Sequence, residues 1–283
     1  MSTLFWDCQT GISGDMAVAS LLDLGASEEA VRAALAPLAG EGFELHVGRV
    51  EKAGLDCCDF DVALDEEHDG HDHDMAYLYD PEWTPGGESV AGGAACPCVH
   101  GDGASHTHGH HHRSYAQVRE VLASLDLAPR ARSLSEKAFR LLAQAESKAH
   151  GVPVDEVHFH EVGAIDAIVD VVGAAILVHQ LKPDRILCSR INVGSGYVQC
   201  AHGLFPVPAP AVAEILRGKP WFMGPGRGEL CTPTGAAIAA TLSEEFGRMP
   251  VLEVDAIGYG AGQREMETLN ALRVIVGHES KKA

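Results

Sequence analysis

HFHEVGAIDAIVDVV, residues 158–172, decides how this chain is read. Its first half carries two histidines and a glutamate. Its second half is a run of small and aliphatic side chains interrupted by Asp166 and Asp170. The apolar run continues to Leu181, so residues 164–181 are predicted to form a helix buried all round rather than along one stripe. Aspartates four residues apart stack on one face of such a helix. A carboxylate buried there needs a hydrogen bond, a cation or a metal, because without one it takes up a proton. Gly163 and Gly173 share that face and leave room for another backbone or a ligand. His158 and His160 flank Phe159, and an extended segment would put both imidazoles on one side, a start for a soft or borderline divalent metal. The ordinary alternative is hydrogen-bonded histidines and aspartates salt-bridged within the core.

Downstream of this helix, residues 185–193 read as a strand running into GSGYVQCAHG. His202 and Gly203 precede FPVPAP, whose prolines form a stiff entry to a helix over 211–216 and so fix His202, a candidate metal ligand or acid/base. In ELCTPTG, residues 229–235, Thr232 is placed to cap a helix over 234–246 whose first residue is Pro233. Thr234 adds a second hydroxyl at the electropositive end, which makes an anion cradle. The loop 224–228, with Arg227, is a lesser candidate for meeting a phosphate or carboxylate. The chain closes on two strand-like runs, 249–262 and 269–277.

Upstream, residues 4–7 form a short strand, the loop CQTGISGD follows, and an apolar-periodic helix covers 16–24. Strand, glycine loop, helix is the layout that turns backbone N–H groups toward an anion, with Gly11, Ser13 and Gly14 as the contacts. Ser13 or Asp15 could cap that helix, and the loop lacks the P-loop lysine and the dinucleotide fingerprint. Asp7 and Asp15 could instead bind a cation. Ser27 caps a second helix ending near Pro37, and residues 43–50 and 55–64 alternate as a hairpin. Cys57 and Cys58 would face opposite sides of its second strand.

Residues 65–113 differ in kind: rich in Gly, Asp and His, they contain HDGHDHD and HGDGASHTHGHHH and no apolar period. Such a segment is expected to be a flexible insertion, and its histidines, among them His71, His73, His108 and His110, suit local metal capture. Helical patterning resumes over 114–125 and 131–150.

Forty acidic residues against 21 Lys and Arg give a formal charge of −19. That balance argues against a nucleic-acid partner and favours cations. The N-terminus shows no secretory pattern, and the apolar central helix carries two aspartates without basic flanks, so a cytoplasmic, non-membrane protein with reduced thiols is expected. The organisation expected is α+β: an N-terminal strand–helix–hairpin unit over 1–64, the insertion, and a main α+β unit over 114–283.

Taken together, GISGDM, the histidine-rich insertion, HFHEVGAID, GSGYVQCAHGLFPVPAP, ELCTPTGAA and IGYGAG resemble the LarC family, the nickel insertion proteins of lactate racemase cofactor biosynthesis. The resemblance implies a nickel chelatase, of the lyase class, that inserts nickel into pyridinium-3,5-bisthiocarboxylic acid mononucleotide and consumes CTP with magnesium or manganese. It also implies a further C-terminal domain, where the family's CTP site lies and which a separate subunit could supply; this chain stops soon after LNALRVIVG. On this reading His158, His160 and His202 handle the metal and Glu161 accepts a proton or ligates. Asp166 and Asp170 ligate or orient, while Gly11, Ser13, Gly14, Thr232 and Thr234 hold the substrate's phosphate. A homo-oligomer and contacts with lactate racemase maturation partners are expected. Two other functions fit the residues: a non-enzymatic nickel metallochaperone or store, and a metal-dependent phosphoester hydrolase.

Overall fold

Leu4 and Trp6 alternate with Phe5 along β1 (Ser2–Asp7), so the strand sends the first two to one face of a sheet and Phe5 to the other. The computed structural model describes residues 1–64, 113–159, 163–200, 203–266 and 268–279. His71, His73, His108 and His110, together with His160, Glu161 and His202, lie outside them.

The same alternation recurs in β2 (Phe43–Lys52), β3 (Leu55–Leu64), β4 (Arg185–Cys188), β12 (Leu252–Ala261) and β13 (Ala271–Glu279), and a short β11 (Glu245–Phe246) completes a seven-stranded sheet. Its order is β11-β4-β1-β13-β12-β3-β2. β1, β4 and β11 run parallel, β13 is antiparallel to both β1 and β12, and β2–β3 is an antiparallel hairpin turning at Ala53–Gly54. A single parallel register pair, Gly260 with Cys58, joins the hairpin to β12. Residues before and after the insertion therefore build one sheet.

The helices pack on the face bearing Leu4, Trp6, Phe60, Leu272 and Val274. These are α1 (Gly14–Asp23), α2 (Glu28–Leu35), α3 (Tyr115–Ser124), α4 (Pro129–His150), α5 (Ile165–Leu181), α6 (Pro210–Ile215) and α7 (Pro233–Leu242). The fold is α+β. α5 is the predicted buried helix, enclosed by α1, α2, α4 and α7. α1 lies on β12 so closely that a side chain at Gly260 would collide with the Met16 carbonyl. On the opposite face Phe5, Leu187 and Ile275 form a small cluster of their own.

Several expectations change in detail. The helix expected over 234–246 stops at Leu242, because Glu244 donates its N–H to the Ile186 carbonyl and the chain enters the sheet as β11. The strand expected over 185–193 breaks after Cys188. There Ser189 donates its N–H to Trp6, and its hydroxyl accepts from the Cys8 N–H. The chain beyond this break forms strands of two to four residues: β5 (Ile191–Asn192), β6 (Gly194–Ser195), β7 (Tyr197–Cys200), β8 (Gly203–Pro206), β9 (Trp221–Phe222) and β10 (Gly228–Glu229). Cys57 and Cys58 do face opposite sides, one in a satellite cluster and one in the main core. No described helix is long and apolar enough to cross a membrane.

Candidate functional site

Two loops zip together at the ends of the strands. Ile12 donates its N–H to Leu230 at 2.8 Å and accepts from Thr232 at 3.1 Å, a parallel bridge that ties the loop after β1 to the loop before α7. Gly11 makes the approach possible: its φ is +97°, and a side chain there would collide with the Leu230 carbonyl. Gly235, in the first turn of α7, abuts the Ile12 carbonyl in the same way. The N-termini of α1 and α7 thus start side by side, and both offer positive dipole ends.

The two caps differ. Thr232 accepts the Gly235 N–H at 3.2 Å, as its sequence position predicts. Ser13 stands at the N-cap of α1 but makes no capping bond; its hydroxyl donates to the Asp15 carboxylate instead. Asp15 also accepts the Met16 N–H. Thr234 is buried in the first turn of α7.

α5 brings its aspartates to this corner. The Asp170 carboxyl lies against the Cα of Gly14, where a methyl group would collide with it. Its Oδ1 is sealed from solvent and makes no hydrogen bond. Burial, and then the charges of Asp15, Asp166 and Asp61, push Asp170 well above the usual carboxylate range. Burial also raises Asp15, against the opposing effects of Ser13, the Met16 N–H and the charge of Arg264. Asp166, one turn earlier on α5, has a buried Oδ1 of its own.

The remaining predicted residues are dispersed. His158 is exposed on a short extended segment bridged to Ser114, with Phe159 buried beside it as the alternation requires. Asp7, weighed as a cation ligand, is instead bound by Arg273, whose Nε donates to Oδ2 at 2.9 Å; that guanidinium neutralises it. Among the described residues, no group of three or more His, Cys, Asp or Glu side chains is arranged to hold a metal ion.

Some neighbours of the site carried no signal of their own in the sequence. Asn192 is buried and fully used: its amide donates to the Gln9 and Pro225 carbonyls, and its oxygen accepts the Gly194 and Gly224 N–H groups. Beneath the first loop, the Cys8 and Cys188 sulfurs stand 3.6 Å apart near Cys231. Burial raises the Cys8 and Cys231 thiols well above their ordinary value, which makes them poor nucleophiles. Arg264, between β12 and β13, acts electrostatically on Asp15.

Compared with known proteins, residues 4–283 match the family model described as nickel insertion protein. The chain belongs to that family. Among curated members, the pyridinium-3,5-bisthiocarboxylic acid mononucleotide nickel insertion protein of Alkaliphilus metalliredigens is 39% identical over 98% of this chain and 61% of its own length. Its namesakes from Geobacillus kaustophilus and Clostridium kluyveri are 37% and 39% identical over 99% of this chain, and over 61% and 63% of their own lengths. This member of the family therefore spans about three fifths of the curated relatives it matches. No solved structure matches it.

Proposed function

We propose that this chain provides the metal- and substrate-handling part of a cytoplasmic nickel chelatase that loads pyridinium-3,5-bisthiocarboxylic acid mononucleotide, giving the nickel-pincer cofactor of lactate racemase. CTP, with magnesium or manganese, is assigned to the C-terminal segment that the resemblance implies. The observation that carries this reading is the match along nearly the whole chain to proteins named for that insertion.

The chemistry asks for three things. Nickel must pass from protein donors to two sulfurs and one ring carbon of the substrate. The ring carbon must give up its proton as the carbon–nickel bond forms. The phosphate must be held while both occur. Imidazoles are suited to borderline nickel, and His158, His160 and His202 are the proposed donors. Glu161 is the proposed proton acceptor. Asp170, whose carboxyl burial holds in the protonated form, and Asp166 are the proposed orienting groups or ligands, and the paired N-termini of α1 and α7 favour the phosphate.

The test is nickel transfer. Purified chain, substrate, nickel, CTP and magnesium or manganese are combined with and without the C-terminal segment, and active lactate racemase is the readout. Activation that needs both pieces and is lost in Glu161→Gln and Asp170→Asn supports the reading. Failure of a folded, nickel-binding mixture to activate sinks it and leaves nickel delivery without insertion.

A further inference from the structure

The site's charges do not balance at one place, and that place is Arg264. Four arginines among the described residues are half-buried: Arg113, Arg132, Arg185 and Arg264. Three are satisfied. Arg113 donates to Glu41 and the Gly163 carbonyl, Arg132 to the Leu122 and Leu125 carbonyls, and Arg185 to Glu245 and Glu279. The Arg264 Nη1 is sealed from solvent with no hydrogen-bond partner, and its guanidinium forms no ion pair among the described residues. A sealed cationic donor left unmatched is costly, and the half-buried side chain can turn that nitrogen out to an acceptor that arrives from outside.

The loop around it is not slack. Gln263 donates to Asp59 and to the Phe60 carbonyl, both at 3.2 Å. The Arg264 carbonyl accepts from the Asn270 amide at 2.8 Å, and buried Lys52 holds Glu265 at 2.6 Å. Every residue from 263 to 265 is thus pinned, while the one guanidinium in the middle is left unpaired. Thr268, further along the same loop, approaches Gly226 in the loop that leads to α7. β12 runs along α1 with Gly258 against the Ser20 carbonyl and Gly260 against the Met16 carbonyl, so the chain leaves the strand toward the N-terminus of α1, where Arg264 acts electrostatically on Asp15. Asp15, the carboxylate on which Arg264 acts, is already bound by Ser13 and the Met16 N–H.

We infer that Arg264 is the binding residue for the phosphate monoester of the mononucleotide substrate, received between its guanidinium and the N-terminus of α1. This rests on the mononucleotide reading given above. A guanidinium fork matches a phosphate's oxygens with two parallel charge-assisted bonds, and the helix N-terminus adds N–H groups of the same polarity. Lysine would supply the charge without the fork.

The probe is nicotinic acid mononucleotide, a pyridinium mononucleotide with one carboxylate, set against its dephosphorylated riboside, with affinities for the full chain measured by calorimetry without nickel. The wild type should bind the mononucleotide more tightly than the riboside. Arg264→Met should weaken mononucleotide binding about ten- to hundredfold and leave the riboside unchanged, with Arg264→Lys between. Circular dichroism and melting temperature check that both variants fold. A wild type that does not prefer the mononucleotide, or an Arg264→Met chain that keeps the preference, overturns the inference. Phosphate discrimination lost on Arg264→Met in a chain that fails the nickel-transfer test keeps this inference and discards nickel insertion.

Discussion

Asp170 shows how one buried carboxyl ties stability to pH. Its carboxyl is raised by burial and by the acidic neighbours Asp15, Asp166 and Asp61, so folding favours the protonated form. The folded chain then holds more protons than the unfolded one once pH passes the unfolded carboxylate value of about 4. Stability is full below that value and falls as pH rises through the folded-state value, and Asp15 acts in the same direction. Asp170→Asn cannot ionise, so its urea midpoint should fall less between pH 5 and pH 8 than that of the wild type. An unchanged slope would place the ionisation cost elsewhere. Gly14→Ala tests the same contact from the other side. The added methyl would collide with the Asp170 carboxylate, and such overpacking costs about 1–3 kcal/mol. The expected readout is a lower urea midpoint with an unchanged m-value.

The elements divide by how their positions are specified. α5 was legible because its apolar run is long and its two aspartates are conspicuous, and the caps Ser27 and Thr232 were legible because capping is local chemistry. The hairpin β2–β3 was legible from its alternation. The strands β5 to β10 were not, since each has two to four residues and its partners are distant in sequence. The pairing of the loops after β1 and before α7 joins residues more than two hundred positions apart, and no local pattern encodes it. Arg264 looked like any polar turn residue, and its burial depends on loops that only the fold assembles. Asn192 holds these short strands to the first loop through four hydrogen bonds. Asn192→Ala should strand buried donors and acceptors at both ends, lowering stability by about 2–4 kcal/mol by chemical denaturation. Asn192→Asp, which keeps the oxygen but loses the two amide donations, should recover only part of that loss.

At the scale of the whole molecule, the question is whether the histidine-rich tract belongs to the folding unit. β3 ends at Leu64, which is in register with Phe43 at the start of β2, and the described chain resumes at Arg113. Arg113 is ion-paired to Glu41, two residues before Phe43. The two ends of the intervening segment are therefore held to the same stretch of chain, close enough for a short linker to join them. Arg113 itself must be kept, because its carbonyl accepts the Phe159 N–H and its guanidinium reaches the Gly163 carbonyl, which fixes the approach to α5. Replacing residues 66–112 by a few glycines and serines should shift the melting temperature by no more than a few degrees, since loop-closure entropy changes only slowly with length. The number of nickel ions bound per chain should fall at the same time, because the replaced segment carries His71, His73, His108 and His110. Equilibrium dialysis on the two folded proteins separates the outcomes. A large fall in melting temperature would make the tract a structural part of the fold, and unchanged nickel stoichiometry would move metal capture to the helix-entry histidines.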